Sequence, residues 1–221
     1  MIKKLGLGAL ALMLALGVGL WTSQRPATTQ TAGLPDLTGM AAAAQTIEVP
    51  DMALGNPDAK VTIYEYASYT CPHCATFHEA AFKPLKRDYI DSGKVRFVMR
   101  EVYFDRYGLW AAMVARCGGE ERYFGISGML FEQQRDWVQS DNPQATVESL
   151  RRIGRTAGMD DAQLNTCLEN ADMAQAMVAR FQETAQADDV TATPTLIING
   201  TKHSNMSYDE LRAIIDAELA K

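Results

Sequence analysis

Two cysteines separated by two residues, Cys71 and Cys74 in the stretch Tyr69-Thr70-Cys71-Pro72-His73-Cys74-Ala75, are the side chains best suited to chemistry in this chain. A thiol pair at this spacing can close and open a disulfide, or it can supply half of a tetrahedral metal site. An apolar run, Val61 to Ala67, comes before it and reads as a buried strand. After it, Cys74, Phe77, Ala81 and Leu85 fall on one helical face. The pair therefore sits where a strand ends and a helix begins. Pro72 fits the first helical position, where its missing N–H costs nothing. Cys71 becomes the cap, beside unpaired backbone N–H groups and the positive end of the helix dipole. That setting favours thiolate over thiol: cysteines so placed have pKa values of about 3.5 to 7.5, against about 8.5 when free. Cys74 lies one turn further on, toward the inside.

A complete zinc site needs a second ligand pair. Cys117 and Cys167 lie far apart, so there is no second Cys-x-x-Cys. Of the histidines His73, His78 and His203, the first lies between the two cysteines, which suits a tetrahedral site poorly. Redox chemistry is the expectation, with no metal and no cofactor. A zinc half-site and an inert disulfide are the alternatives.

Glu65, Cys71, Pro72, His73, Cys74 and the later Thr193-Pro194 resemble the DsbA family of thiol:disulfide oxidoreductases. The resemblance runs from about residue 50 to the end of the chain, and Cys-Pro-His-Cys is the tetrapeptide typical of DsbA-type oxidases. It implies a thioredoxin fold with Cys71 as nucleophile, Cys74 as resolving thiol and His73 as stabiliser of the Cys71 thiolate. Glu65 would be a buried acid beside the inner cysteine that accepts its proton. Thr193-Pro194 would form a cis peptide near the cysteines, with the Thr193 backbone pairing to an extended substrate peptide. Thr193 departs from the valine of the best-known DsbA oxidase; several isomerases and reductases of the wider fold carry threonine there. The implied partners are reduced exported proteins and a DsbB-like, quinone-linked membrane reoxidant. Taken alone, Glu65 can also be read as a surface glutamate and His73 as an exposed residue without effect. Competing functions are a disulfide isomerase or reductase on the same fold, and a non-enzymatic copper or zinc carrier.

The rest of the chain supplies the frame. Its 221 residues, 47% of them hydrophobic, can build one medium domain or a domain with an insertion. A net charge of −6 with no basic block argues against a nucleic-acid partner. A monomer is expected. Residues 1–21 begin with Lys3 and Lys4 and continue as an uncharged apolar run to Trp21, the pattern of a cleaved signal or a retained membrane anchor through residues 5–21. Residues 22–45 are rich in Thr, Ala, Gln and Gly and read as a flexible tether. A periplasmic location follows, soluble or anchored at the inner membrane.

Within 46–221, Ile47 to Pro50 reads as a short edge strand and Val61–Ala67 as a central strand. The helix after Cys74 should kink at Pro84. Val95–Val102 reads as the next strand, parallel to the first. From about 107 to 187 the pattern is helical only, an insertion nested in the fold. Its second helix, Tyr123 to Val138, is expected to be interrupted at Gly125 and Gly128, and Asp160 with Gln163 resembles a capping box. Cys117 and Cys167 fall on apolar faces of this insertion. They are two separate buried thiols or a structural disulfide, and an oxidising compartment favours the bridge. The chain then returns to strand at Leu196–Asn199. Asn199-Gly200 makes a hairpin, and Ser207 with Glu210 caps a final helix.

Overall fold

A computed structural model describes residues 47–139 and 142–221. The leader and tether expected at 1–45 lie outside the described residues. Five strands form one mixed sheet in the order β1-β3-β2-β4-β5: β1 (Met52–Leu54), β2 (Val61–Ala67), β3 (Val95–Glu101), β4 (Thr195–Ile198) and β5 (Thr201–Ser204). β2 pairs parallel with β3 and antiparallel with β4, and β1 and β5 close the edges antiparallel. Between β3 and β4 the chain is helical: α3 (Arg106–Cys117), α4 (Glu120–Glu132), α5 (Gln134–Trp137), α6 (Pro143–Thr156), α7 (Asp161–Leu168) and α8 (Ala171–Ala187). This is a thioredoxin fold with a helical insertion, and the insertion spans the residues expected of it.

The period-two alternation of a strand decides what faces the cysteines. Val61, Ile63 and Ala67 of β2 join the main core with Cys74, Phe77 and Leu85. Tyr66 points to the other face, where Val102 and Ile197 meet Phe181 and Ala185 of α8. Glu65 has the parity of Ile63 and Ala67, so its carboxylate is carried into the main core rather than to water.

Three local expectations are corrected, and the helix around Pro84 takes a form the sequence did not show. The edge strand lies at Met52–Leu54 rather than at 47–50, because Pro50 has no N–H to give a ladder. Around Pro84 the helix changes pitch. α1 (Pro72–Phe77) continues as a π-helical turn (His78–Phe82), then α2 (Lys83–Leu85), then a second π-helical turn (Lys86–Ile90), so wide turns on both sides of Pro84 absorb its missing donor. Gly125 and Gly128 lie inside α4, and the break falls at Gln133, with φ −99° and ψ 15°. Asp160 does cap α7 by accepting from Gln163 N–H at 2.8 Å. The Gln163 side chain does not reach back; it donates instead to the Cys117 carbonyl at 3.0 Å.

Where the sequence left two readings for Cys117 and Cys167, the structure joins them: the two form a disulfide linking α3 to α7, with Cα atoms 5.8 Å apart. The β4–β5 hairpin turns at Asn199 (φ 46°) and Gly200 (φ 85°), and Ser207 with Glu210 forms a complete capping box on α9 (Tyr208–Ala220). The bridge closes a loop with a sequence separation of 50. Replacing both Cys117 and Cys167 by alanine is expected to lower stability in urea unfolding by about 2–4 kcal/mol, with the helical signal retained. An unchanged midpoint would show that the bridge adds nothing to the helices it joins.

Candidate active site

The N-terminus of α1 places both thiols. Cys71 is the cap residue, extended at φ −83° and ψ 116°, and Pro72 begins the helix. Cys74 follows one turn later and is fully buried against the core. Both are free thiols in this structure. The backbone N–H groups of His73 and Cys74 lie at the cap beside the Cys71 sulfur; no side-chain cap hydrogen bond forms, and the Cys74 N–H donates to the Cys71 carbonyl at 3.1 Å. The surroundings lower the Cys71 pKa to about 5, against burial: first the Cys74 thiol, then Thr193, then the polarity of the Cys74 and His73 N–H groups. When protonated, the same thiol can donate to the Thr193 carbonyl, 3.5 Å away.

Cys74 is driven the opposite way. As the donor to a Cys71 thiolate, buried, and facing the charges of Glu65 and Cys71, its thiol is held far above the ordinary range. Glu65 is 4% exposed, and burial first, then the Cys71 charge, raises its pKa to about 8. The site thus holds one sulfur that releases its proton readily, one that keeps it, and one carboxyl that is protonated at neutral pH and within about a unit of giving the proton up.

The structure brings together Glu65, Cys71, Cys74, Thr193 and Pro194, with a cis peptide between Thr193 and Pro194. His73 bears on the sulfur only through its backbone N–H, which helps lower the Cys71 pKa; its imidazole is exposed and has no hydrogen-bond partner among the described residues. Cys117 and Cys167 are bonded to each other and take no part in this group.

Sequence reasoning missed the side chains that hold the turn before Cys71. Gln134 donates to the carbonyls of Tyr69 and Cys71, and Asp105 accepts from the Thr70 hydroxyl. Tyr69 hydrogen-bonds Ser127 at 2.6 Å and Tyr123 at 3.3 Å. A glutamine late in an aromatic-rich helical stretch carries no signal of this in sequence. Asp105 does: an aspartate just before Arg106-Tyr107-Gly108 is a cap candidate.

Comparison with known proteins places this site in company. The thioredoxin family profile matches residues 48–217. A protein provisionally named a protein-disulfide oxidoreductase in Rickettsia typhi is 33% identical over 174 residues, covering 78% of this chain and 63% of the relative. The chain therefore spans about three-fifths of that relative's length. Disulfide bond formation protein D of Bacillus subtilis is 28% identical over 173 residues, 75% of this chain and 76% of the relative. Among solved structures, α-DsbA1 of Wolbachia pipientis superposes with a TM-score of 0.73 at 28% identity, covering 79% of this chain and 94% of that one.

Two measurements follow. Titration of the thiolate absorbance near 240 nm in the reduced protein should give a first midpoint near pH 5, assigned to Cys71; a midpoint in the free-thiol range would contradict the cap geometry. For Glu65 the sign is set by burial. The folded protein keeps its proton up to about pH 8, whereas the unfolded chain loses it near 4.5. Glu65 therefore costs nothing below pH 4.5, and its cost grows as pH rises toward 8. Glu65→Gln should stabilise the reduced protein by about 2–5 kcal/mol at pH 8 and leave it unchanged at pH 4. An equal gain at both pH values would mean that the carboxyl is not buried as an acid.

Proposed function

This chain belongs to the thioredoxin family, among the DsbA-like protein-disulfide oxidoreductases, and from that premise we propose that it is an enzyme that introduces disulfide bonds into exported proteins. The observation that carries the reading is the preference of the α1 cap for a charged Cys71 sulfur. In the reaction, a substrate thiolate attacks Cys71 of the oxidised pair. The Cys71–Cys74 bond breaks, and its electron pair goes to Cys74. A sulfur so strongly disposed to keep a proton takes one at once, and in this reading Glu65, buried in the same core and protonated at neutral pH, gives it. The substrate's second thiolate then attacks its own sulfur in the mixed disulfide and expels Cys71 as a thiolate. In the reverse direction Glu65 accepts the Cys74 proton.

The energetics favour release. With Cys71 near 5, about two pKa units count at pH 7, or about 2.7 kcal/mol without screening. Water on the open side of the sulfur reduces this to about 1–2 kcal/mol. That corresponds to roughly 20–45 mV of oxidising power at pH 7, growing until the pH passes the ordinary thiol range and lost as pH falls through 5.

In this reading His73 adds donor capacity or positive charge beside the thiolate, and the Thr193 backbone pairs with the substrate strand. A DsbB-like membrane protein restores the disulfide, and the domain works in the periplasm, delivered by residues 1–21. A reductase or isomerase role is the second reading, and the threonine at 193 is the feature that favours it.

Equilibration of the Cys71–Cys74 pair with glutathione buffers separates the two. The oxidase reading expects a potential more oxidising than about −180 mV; a value near −250 mV or below would make the protein a reductant.

A further inference from the structure

The turn Tyr69-Thr70-Cys71 lies between the end of β2 and the start of α1; Cys71 N–H donates to Ser68 O at 3.1 Å and the Cys71 carbonyl accepts from the N–H groups of Cys74 and Ala75 at 3.1 and 3.2 Å, while the Tyr69 carbonyl has no backbone donor among the described residues. The helical insertion supplies the rest. Gln134, 6% exposed and first in α5, donates from its carboxamide nitrogen to the Tyr69 carbonyl at 2.8 Å and to the Cys71 carbonyl at 2.9 Å. That nitrogen carries two protons, so both bonds form together and one group grips the chain on each side of Thr70. Thr70 is held as well: its hydroxyl donates to Asp105 Oδ2 at 2.8 Å, while Asp105 Oδ1 caps α3 by accepting from the N–H groups of Tyr107 and Gly108. Two side chains that follow β3 in sequence thus hold three consecutive residues.

The break at Gln133 is what aims Gln134 inward. α5 is then fastened back onto α4 by Trp137, buried to 1%, whose Nε1 donates to the Leu130 carbonyl at 2.7 Å. A helix continued straight from α4 would carry residue 134 elsewhere.

We propose that Gln134 is a positioning residue for thiol–disulfide exchange, its carboxamide fixing the Cys71 peptide so that the sulfur stays at the cap of α1 and beside Thr193. Gln134 does not touch the sulfur; it acts through the backbone. The Tyr69 carbonyl has no other donor among the described residues. Removing the carboxamide leaves a buried acceptor open, and the turn gains a reason to rotate toward water. Sulfur moves with its own backbone, so the donors that hold its charge fall out of line. This inference rests on the reading of Cys71 as an activated nucleophile and adds the group that keeps it in place.

The test compares reduced wild-type protein with Gln134→Met, which keeps the length and loses the donors, and with Thr146→Val. Thr146 is buried in α6 and donates to the Gln139 carbonyl at 3.1 Å, so its loss loosens the same part of the insertion without touching the turn. Gln134→Met is expected to raise the Cys71 thiolate midpoint by about 0.5–1 unit, a roughly three- to tenfold loss of thiolate below the midpoint. The rate of reaction with a thiol reagent at pH 4 should fall in proportion, and Thr146→Val should leave both at wild-type values. Equal midpoints for Gln134→Met and wild type overturn the proposal, and so does an equally large shift in Thr146→Val. If Gln134→Met does not fold, hydrogen exchange of the Gln134 side-chain amide in the wild type decides: strong protection is expected, and exchange at the rate of a free amide overturns it. A wild-type midpoint in the free-thiol range is a different failure, that of the Cys71 reading itself.

Discussion

A negative charge on one sulfur at the start of a helix is the interaction around which this structure is arranged. The Cys74 thiol, the Thr193 side chain and the N–H groups at the cap all lie around Cys71, and each favours its thiolate. The groups behind it are arranged against charge. Cys74 and Glu65 are buried in a core of Ile63, Phe77 and Leu85, where an ion has little to solvate it. Oxidation to a disulfide removes the favoured charge, and reduction restores it. In the proposed oxidase reading, the dithiol form is the one the protein holds more comfortably.

The insertion does more than cover the sheet. Glu101, at the end of β3, receives Arg116 through bonds of 2.8 and 2.6 Å and the Tyr123 hydroxyl at 2.7 Å. A buried ion pair is worthwhile only when its polar atoms are satisfied, and these carboxylate oxygens are. Arg116 also donates to the Pro50 carbonyl at 2.9 Å, and the next residue is Cys117. α3 is thus fixed to the sheet by charge and to α7 by a covalent bond. Tyr123 and Ser127, on α4, carry the connection to Tyr69 and so to the turn before Cys71. Gln134 completes it from α5.

Much of this was legible in the sequence, for identifiable reasons. A strand, a cap cysteine, a proline at the first helical position and an apolar helix face are local signals, and they placed Cys71 and Cys74 without any tertiary information. Glu65 stayed open between a surface and a buried reading, and the structure decided it by giving Glu65 the parity of Ile63 and Ala67. Turn chemistry at Asn199-Gly200 and the capping box at Ser207 are equally local. Gln134 was not legible, because its partners are backbone carbonyls more than sixty residues away, and a carbonyl has no sequence identity to pair with. The π-helical turns around Pro84 were missed for a related reason: the sequence marks the missing donor, and packing decides whether the helix bends or widens. The pairing of Cys117 with Cys167 needed the fold to bring α3 and α7 together.

The claim that the protein favours its dithiol form can be tested without any substrate. Urea unfolding of the oxidised and the reduced protein at pH 7, with Cys117–Cys167 kept intact in both, compares the two states of the active pair directly. The account expects the reduced protein to unfold at the higher urea concentration, by a margin that shrinks as pH is lowered toward 5. An oxidised protein that is the more stable of the two at pH 7 would contradict it.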